Sequence, residues 1–566
     1  MKTWTQLLRR LASFPARNPQ LDGSQPPLKE LLTEKDCFLI AYPDHVQRQG
    51  EPGLKTLNEF LHKQLGGLVG GVHILPLFPS SSDDGFAVMD YRSVDPTFGD
   101  WEDVQAIGQD FRLMVDGVFN HVSRENAWFR SFVADNPTYR DFFIRVDPGV
   151  DLSKVARPRT SPLLTGVETV RGKESVWTTF SDDQVDLNFA SPDVLLQIID
   201  VLLFYVEQGA QVIRLDAIAY LWKELGTPCI HLPQTHAVIR ILRAVLDDVA
   251  PRVLLISETN VPHTENVSYF GKASGNSDWT DEAQMVYNFA LAPLLVHALL
   301  SGDASKMVEW ANGLEAPGVF FNFVASHDGI GLMPARGLLS DDEIGRLVEK
   351  ATTRGGRISS RNNPDGSTSP YELNITLYDL LSGPEGSGSQ MDEARFLASQ
   401  AVLLSLKGVP GIYLPSLFGA RNCVPCVEQT GRARSINREK FSHEALVRQL
   451  TDPRCREGRI FRAYGNLLRG RRSRRAFHPL GTQEVLSLPE GVFGLRRTSP
   501  EGNDVLVAVT NLTGNEVQVG LPLRGERERH FVWRDELTGR GVGKLGTRDL
   551  RLRAYETLWL EPAELA

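Results

Sequence analysis

Eight short apolar runs, separated by stretches with helical periodicity, constrain this chain more than any other feature. They are Cys37–Tyr42, Gly71–Pro76, Phe111–Asp116, Gln211–Asp216, Val253–Glu258, Gln284–Asn288, Val319–Ser326 and Val409–Leu414. Short continuous apolar runs read as strands buried on both faces, and strands alternating with helices build parallel βα units. Eight of them predict an α/β chain closed into a (β/α)8 TIM barrel, with an open sheet as the alternative.

Two intervals are too long for a simple βα connection. Residues 122–208 hold aromatic, Pro and polar clusters and read as an inserted subdomain. Residues 329–395 read as a second insertion before the eighth strand, carrying the turn-rich loop Arg361–Tyr371. The barrel then comprises residues 1–121 (with an N-terminal amphipathic helix), 209–328 and 396–480. From about Gly481 the pattern changes to short alternating strands with Gly and Asn turns, which predicts a C-terminal β-sandwich over 481–566.

Composition narrows the function classes. There are 61 Lys and Arg against 70 Asp and Glu, a formal charge of −9, with no long block of one sign. That argues against nucleic acid or a membrane surface as partner. The nearest basic run, Arg469, Arg471, Arg472, Arg474 and Arg475, reads as a solvated helix end. No segment approaches the ~18 apolar residues of a membrane span, and the N-terminus lacks the apolar core of a secretory signal. The 5 cysteines are scattered, as in a reducing compartment. Cys423-Val-Pro-Cys426 has no second Cys or His pair beside it, so neither zinc nor redox chemistry is assigned to it. A cytoplasmic protein is expected.

The chemistry sits at strand ends, which in a barrel converge on one mouth. In Gln211-Val-Ile-Arg-Leu-Asp216 the period of two puts Arg214 and Asp216 on one face, and the Arg should hold the Asp ionised. Alone, this is also what a structural ion pair capping a strand looks like. Yet Asp116-Gly-Val-Phe-Asn-His121, Glu258 and Ala325-Ser-His-Asp328 end three further runs in titratable groups. Four such ends on separate strands are hard to explain by structure alone.

These motifs, in this order and spacing, resemble the α-amylase family of glycoside hydrolases over nearly the whole chain. The resemblance implies Asp216 as nucleophile, Glu258 as general acid and base, and Asp328 as transition-state stabiliser. It makes His121, Arg214 and His327 supporting contacts. The physics is compatible: a retaining mechanism needs two carboxyls roughly 5 Å apart, one ionised and one protonated, and neither metal nor cofactor. Like charge should raise the pKa of Glu258.

Ser82-Asp-Asp-Gly-Phe86 and Thr179-Phe-Ser-Asp-Asp-Gln-Val-Asp-Leu-Asn188 are similar to the sucrose phosphorylase subgroup. That implies glucose contacts from Asp83, Phe86, Phe180 and Gln184. Ser435-Ile-Asn-Arg438 adds Arg438. Arg157, Arg159 and Tyr371 fall where the subgroup's two mobile loops receive phosphate and shape the acceptor site. Inorganic phosphate is then a co-substrate beside a small glucoside, and Arg suits it as a forked donor. The chain departs from sucrose phosphorylases at Ser369, where they tend to carry Asp, and at Ala156, where they have an aromatic. Both departures count against sucrose and for an anionic aglycone. The loops Ala156–Thr165, Thr227–His231 and Asn363–Gly366 are most similar to those of glucosylglycerate phosphorylases. The implied reaction is 2-O-α-glucosylglycerate plus phosphate giving α-glucose 1-phosphate and glycerate. Sucrose, sucrose 6′-phosphate or glucosylglycerol phosphorolysis, hydrolysis or transglucosylation, and sugar binding without catalysis remain the alternatives.

Overall fold

A computed structural model of the protein describes residues 2–21, 23–147, 149–273, 278–363, 365–383, 389–522, 532–542 and 549–563. Pro364 of the predicted loop and residues 384–388 of the predicted second insertion lie outside these.

The eight apolar runs form eight parallel strands. They are β1 (Phe38–Ala41), β2 (Gly71–Ile74), β3 (Arg112–Gly117), β4 (Val212–Leu215), β5 (Leu254–Ser257), β6 (Met285–Asn288), β7 (Val319–Asn322) and β8 (Val409–Tyr413). Their neighbours follow sequence order, and β1 pairs with both β2 and β8, so the sheet closes. Closure removes every edge and buries each strand on both faces, which is why the runs are apolar throughout. Register then carries the chemistry: Asp116 on β3 lies opposite Arg214 on β4.

The helices pack their apolar faces on this barrel. The helix Pro192–Glu207 starts on Pro, whose fixed φ suits the first turn, and buries Val194, Ile198, Ile199 and Leu202. The N-terminal helix Lys2–Arg17 lies outside, held by Arg10 Nε to Asp200 at 2.7 Å.

Between β3 and β4 run the helix Ala127–Val133 and two antiparallel pairs, His121–Ser123 with Gln184–Asp186 and Leu164–Thr169 with Gly172–Trp177. Between β7 and β8 a three-stranded antiparallel sheet joins Ile330–Gly331, Thr368–Asn374 and Arg357–Asn362. At the C-terminus, six strands form one antiparallel sheet, and Val517–Gly520 pairs with Asp549–Leu552 as another. Val507, Val509, Val519, Leu550, Leu552 and Leu560 form a shared apolar core.

The basic run is not a solvated helix end. Arg471 is buried and donates to the carbonyls of Glu34, Gly408 and Phe477. Arg474 pairs with Asp504 at 2.6 Å, Glu536 at 3.1 Å and Glu561. Arg471 thus ties its helix to the barrel and Arg474 holds the C-terminal sheets, while Arg469 remains exposed; partners so distant in sequence hid this from local reading. Cys423 and Cys426 are joined as a disulfide at the start of the helix Val424–Thr430, while Cys37, Cys229 and Cys455 are free thiols. Among the described residues, no helix is long and apolar enough to cross a membrane.

Gly408, leading into β8, has φ +124°, and a Cβ there would lie 2.4 Å from the Phe320 carbonyl oxygen. Gly408→Ala should therefore cost about 1–3 kcal/mol in backbone strain, before the steric term. Thermal denaturation should show a melting temperature several degrees lower. An unchanged melting temperature would mean that the β7–β8 junction relaxes freely.

Candidate active site

The barrel's C-terminal mouth collects the charged strand ends around one guanidinium. Arg214 on β4 is 1 % exposed. Its Nη1 contacts Asp116 Oδ1 and donates to Asp216 Oδ1 at 2.9 Å, while Nη2 lies 3.9 Å from Glu258 Oε2. The other oxygen of Asp116 accepts from His73 Nε2 on β2 at 2.8 Å. Burial pushes the Asp116 carboxyl up, but the charges of Arg214 and His73 outweigh it and hold it at about 2.

Asp216 follows the last residue of β4, and the chain then turns sharply through Ala217, at φ +48°. This left-handed turn aims the Ala217 amide at Glu258 Oε2, 2.9 Å away. The two carboxyls beside Arg214 are thus held differently, Asp216 by a cation and Glu258 by a backbone amide.

Burial dominates the electrostatics of both. It lifts Asp216 well above the ordinary carboxylate range, against Arg214 and reinforced by the charge of Glu258. Burial likewise lifts Glu258, with Arg214 opposing and Asp328 adding to it. The expectation that Arg214 keeps Asp216 below its usual range is therefore corrected: Arg214 spreads its charge over three acids, and desolvation wins. The two groups titrate as a pair, both raised above the ordinary carboxylate range.

Asp328 is the opposite case. Burial raises it, but Arg434, His327 and Arg438 surround it and bring it well below the ordinary range. Arg434 Nη1 reaches its Oδ1 at 2.6 Å, and Arg438 Nη2 lies at 3.7 Å. Arg434 also grips Glu372 with two bonds, at 3.0 and 2.9 Å. Arg438 ties the mouth together, donating to the His327 carbonyl at 2.8 Å and pairing with Asp84; Asp83 lies 3.7 Å away.

One cavity of about 70 Å³ is lined by Asp83, Phe86, His121, Arg159, Phe180, Gln184, Asp216, Glu258, His327, Asp328 and Tyr371. These are eleven of the fourteen residues singled out from sequence, brought together from eight separate segments. Phe86 stacks on His327, ring centroids 5.1 Å apart and planes 6° from parallel. His121 donates from Nε2 to the Phe86 carbonyl at 3.0 Å and accepts from Asn120 at Nδ1, roles that suit the neutral ring that burial favours. The amide of Gln184 lies 3.1 Å from His121 Nε2. Arg159 lies over the rings of Tyr371, at 5.6 Å, and Phe180, at 6.0 Å.

Three predicted residues lie outside this lining. Arg214 is beneath the floor, and Arg438 is at the rim beside Asp83. Arg157 lines a larger neighbouring cavity of about 1010 Å³ and donates to the Ser161 carbonyl, apart from its partner Arg159. Sequence reasoning missed Tyr220, Asn260, Glu372 and Arg434 in the lining. It also missed Lys223, which bridges Asn120 and Asp186 beneath His121. The signal for Arg434 was there: it stands four residues before Arg438 in the helical turn Ala433–Asn437. Among the described residues, no group of three or more His, Cys, Asp or Glu could hold a metal ion.

A buried carboxylate, a proton-sharing neighbour and an arginine-clamped third acid, beneath a small cavity with an apolar platform, can carry out displacement at an acetal carbon. Comparison with known proteins agrees with this class. The family model described as alpha amylase, catalytic domain, matches residues 60–315. The chain belongs to the α-amylase family of glycoside hydrolases. Within that family it is 50 % identical to the glucosylglycerate phosphorylase of Spirochaeta thermophila, over 94 % of this chain and 90 % of that one. It is 41 % identical to the glucosylglycerate phosphorylase of Escherichia coli, over 94 % and 93 % of the two chains. The crystal structure of sucrose 6F-phosphate phosphorylase from Thermoanaerobacter thermosaccharolyticum superposes with a TM-score of 0.74 at 24 % identity, over 90 % of this chain and 98 % of that chain, and so shares the fold.

Asp116→Asn would leave buried Arg214 and His73 without their shared charge, at a cost of about 3–5 kcal/mol. The folded carboxyl is held at about 2, below its unfolded value near ~3.9. Its contribution is thus present above the unfolded value and lost as pH falls toward the folded one. The melting temperature of the variant should lie well below that of the wild type at pH 7, and the gap should narrow below about pH 4. A gap independent of pH would contradict the ion-pair origin.

Proposed function

We propose that this chain is a retaining phosphorylase that converts 2-O-α-D-glucosylglycerate and inorganic phosphate to α-D-glucose 1-phosphate and D-glycerate. The observation that carries this reading is the grouping of Asp216, Glu258 and Asp328 around arginines, in a chain similar over 94 % of its length to glucosylglycerate phosphorylases.

Asp216 attacks the anomeric carbon and forms a β-glucosyl ester. Its direct bond from Arg214, shorter than the approach of Arg214 to Glu258, favours the ionised form there and leaves the shared proton on Glu258. Glu258 gives that proton to the departing glycerate oxygen and takes one back from phosphate as it attacks the ester. The new bond forms on the face the glycerate left, so the product keeps the α configuration. Asp328, ionised between its arginines, holds sugar hydroxyls as positive charge grows on the ring. Phe86, braced on His327, gives the ring an apolar floor, and Asp83, His121, Phe180, Gln184 and Arg438 enclose the glucosyl unit. Arg159 beside Tyr371 receives phosphate, with Arg157 attracting anions from further out. We read residues 122–208 as an inserted subdomain and 329–395 as an insertion bearing the specificity loop. Residues 481–566 we read as a C-terminal β-sandwich appended to the barrel.

The direct test offers glucosylglycerate, glucosylglycerol, sucrose and sucrose 6′-phosphate in parallel with phosphate. Release of α-glucose 1-phosphate from glucosylglycerate far above the others is expected. Release from another donor would move the substrate, and free glucose regardless of phosphate would make the chain a hydrolase. Because Glu258 is raised, its acid form should persist above the ordinary carboxyl range and be lost as pH rises through the folded value. The rate with glucosylglycerate should fall on that alkaline limb. With α-glucosyl fluoride, whose leaving group needs no proton, the limb should vanish, and Glu258→Gln should cost that donor far less. An identical limb with both donors would assign it to another group.

A further inference from the structure

The larger cavity, about 1010 Å³, joins the catalytic pocket through shared walls: Tyr220, Asn260, Val261 and Tyr371 line both. A cavity of about 370 Å³ also adjoins the pocket, sharing Asp83, Phe180 and Gln184 of the predicted glucose contacts, which leaves the larger cavity as the room for an aglycone. The lining of the larger cavity holds two half-buried arginines that meet no carboxylate among the described residues, Arg157 and Arg361. Arg157 is bonded to the Ser161 carbonyl of its own loop, whereas Arg361 has no backbone acceptor among those residues. Arg361 lies near the end of the strand Arg357–Asn362, directly across from Ser369 on the strand Thr368–Asn374. Its guanidinium is half-buried, yet among the described residues it meets no carboxylate. Its one bond is from Nε to Ser369 Oγ, at a long 3.4 Å. Ser369 in turn donates to Asn363 Oδ1 at 3.0 Å.

Two arginines of the catalytic pocket and its rim are different. Arg434 and Arg438 are each matched by acids, as the geometry above describes. Burial and the like charge of Arg336 press on Arg361 and lower its pKa. A half-desolvated cation with no protein counter-ion, facing a cavity, is costly unless an anion binds there. The planar fork of arginine matches a carboxylate with two parallel hydrogen bonds.

We propose that Arg361 is the specificity-determining residue of the aglycone site: it binds the carboxylate of glycerate, and Ser369 leaves its charge free to do so. The inference rests on the reaction proposed above and names the residue that selects its acceptor. Glycerate and glycerol differ at one carbon, carboxylate against hydroxymethyl, so a single cation suffices to separate them. Arg159, nearer the reacting carbon, remains available to phosphate. The cross-strand register supplies an independent handle. An acid at 369 would lie directly opposite Arg361 and neutralise it without removing it, since facing side chains on antiparallel strands are in contact.

The test is transfer from α-glucose 1-phosphate to glycerate and to glycerol, read as the ratio of kcat/KM for the two acceptors. Arg361→Gln and Ser369→Asp should each lower the glycerate-to-glycerol ratio by about tenfold to a hundredfold, chiefly through the KM for glycerate. Ser369→Ala should leave the ratio within about threefold, because it removes a weak bond and no charge. Arg361→Lys should retain part of the preference. If Arg361→Gln does not fold, Ser369→Asp carries the test with the arginine in place. A wild-type preference for glycerate that survives both Arg361→Gln and Ser369→Asp would overturn the assignment while leaving the proposed reaction standing. A wild type that uses no glycerate would overturn the reaction itself, and this assignment with it.

Discussion

The buried guanidinium of Arg214 is the point on which the rest of the site depends. One cation is shared among Asp116 below it, Asp216 beside it and Glu258 above it. The deep pair with Asp116 fixes its position, because neither partner has water as an alternative. The remaining charge is then divided unequally between the two acids at the mouth. In the proposed reaction this inequality separates a carboxylate that attacks from a carboxyl that donates a proton, although burial raises both.

The barrel supplies the precision that this division needs. Asp116 and Arg214 face each other because β3 and β4 are paired in register, and Glu258 follows β5 on the next strand along. Side chains fixed at strand ends are set by a closed hydrogen-bonded sheet, whereas the residues that choose the acceptor sit on connections between strands. Arg159, Arg361 and Tyr371 belong to those connections. In the proposed reaction, chemistry and acceptor choice are thus carried by different parts of the molecule. Arg474 binds the C-terminal sheets through Asp504, Glu536 and Glu561, and Arg471 anchors its helix to the barrel through the Gly408 carbonyl, far from the mouth.

The eight strands were legible because a strand buried on both faces is a continuous apolar run with sharp ends. The acids at those ends were legible for the same reason: each polar group interrupts an apolar pattern. Glu372 was not, since it lies on a short strand between β7 and β8 and joins the site through its pair with Arg434, and Arg434 was marked only by its spacing of four from Arg438. The Arg469–Arg475 run was misread because its partners, from Glu34 to Glu561, lie hundreds of positions away in some cases. The pKa of Asp216 was misjudged because adjacency to Arg214 can be read along a strand, but the depth of burial and the sharing of that cation cannot. Asp84 was passed over for Asp83, although it is Asp84 that makes the closer pair with Arg438.

A covalent glucosyl ester on Asp216 is the step on which the proposed reaction turns. The most direct measurement is peptide mass mapping of the Glu258→Gln variant, quenched in acid during turnover of α-glucosyl fluoride. One added anhydroglucose unit is expected on the peptide containing Asp216, removed when phosphate is supplied before the quench. An adduct on another residue, or turnover with retention and no adduct at all, would contradict it.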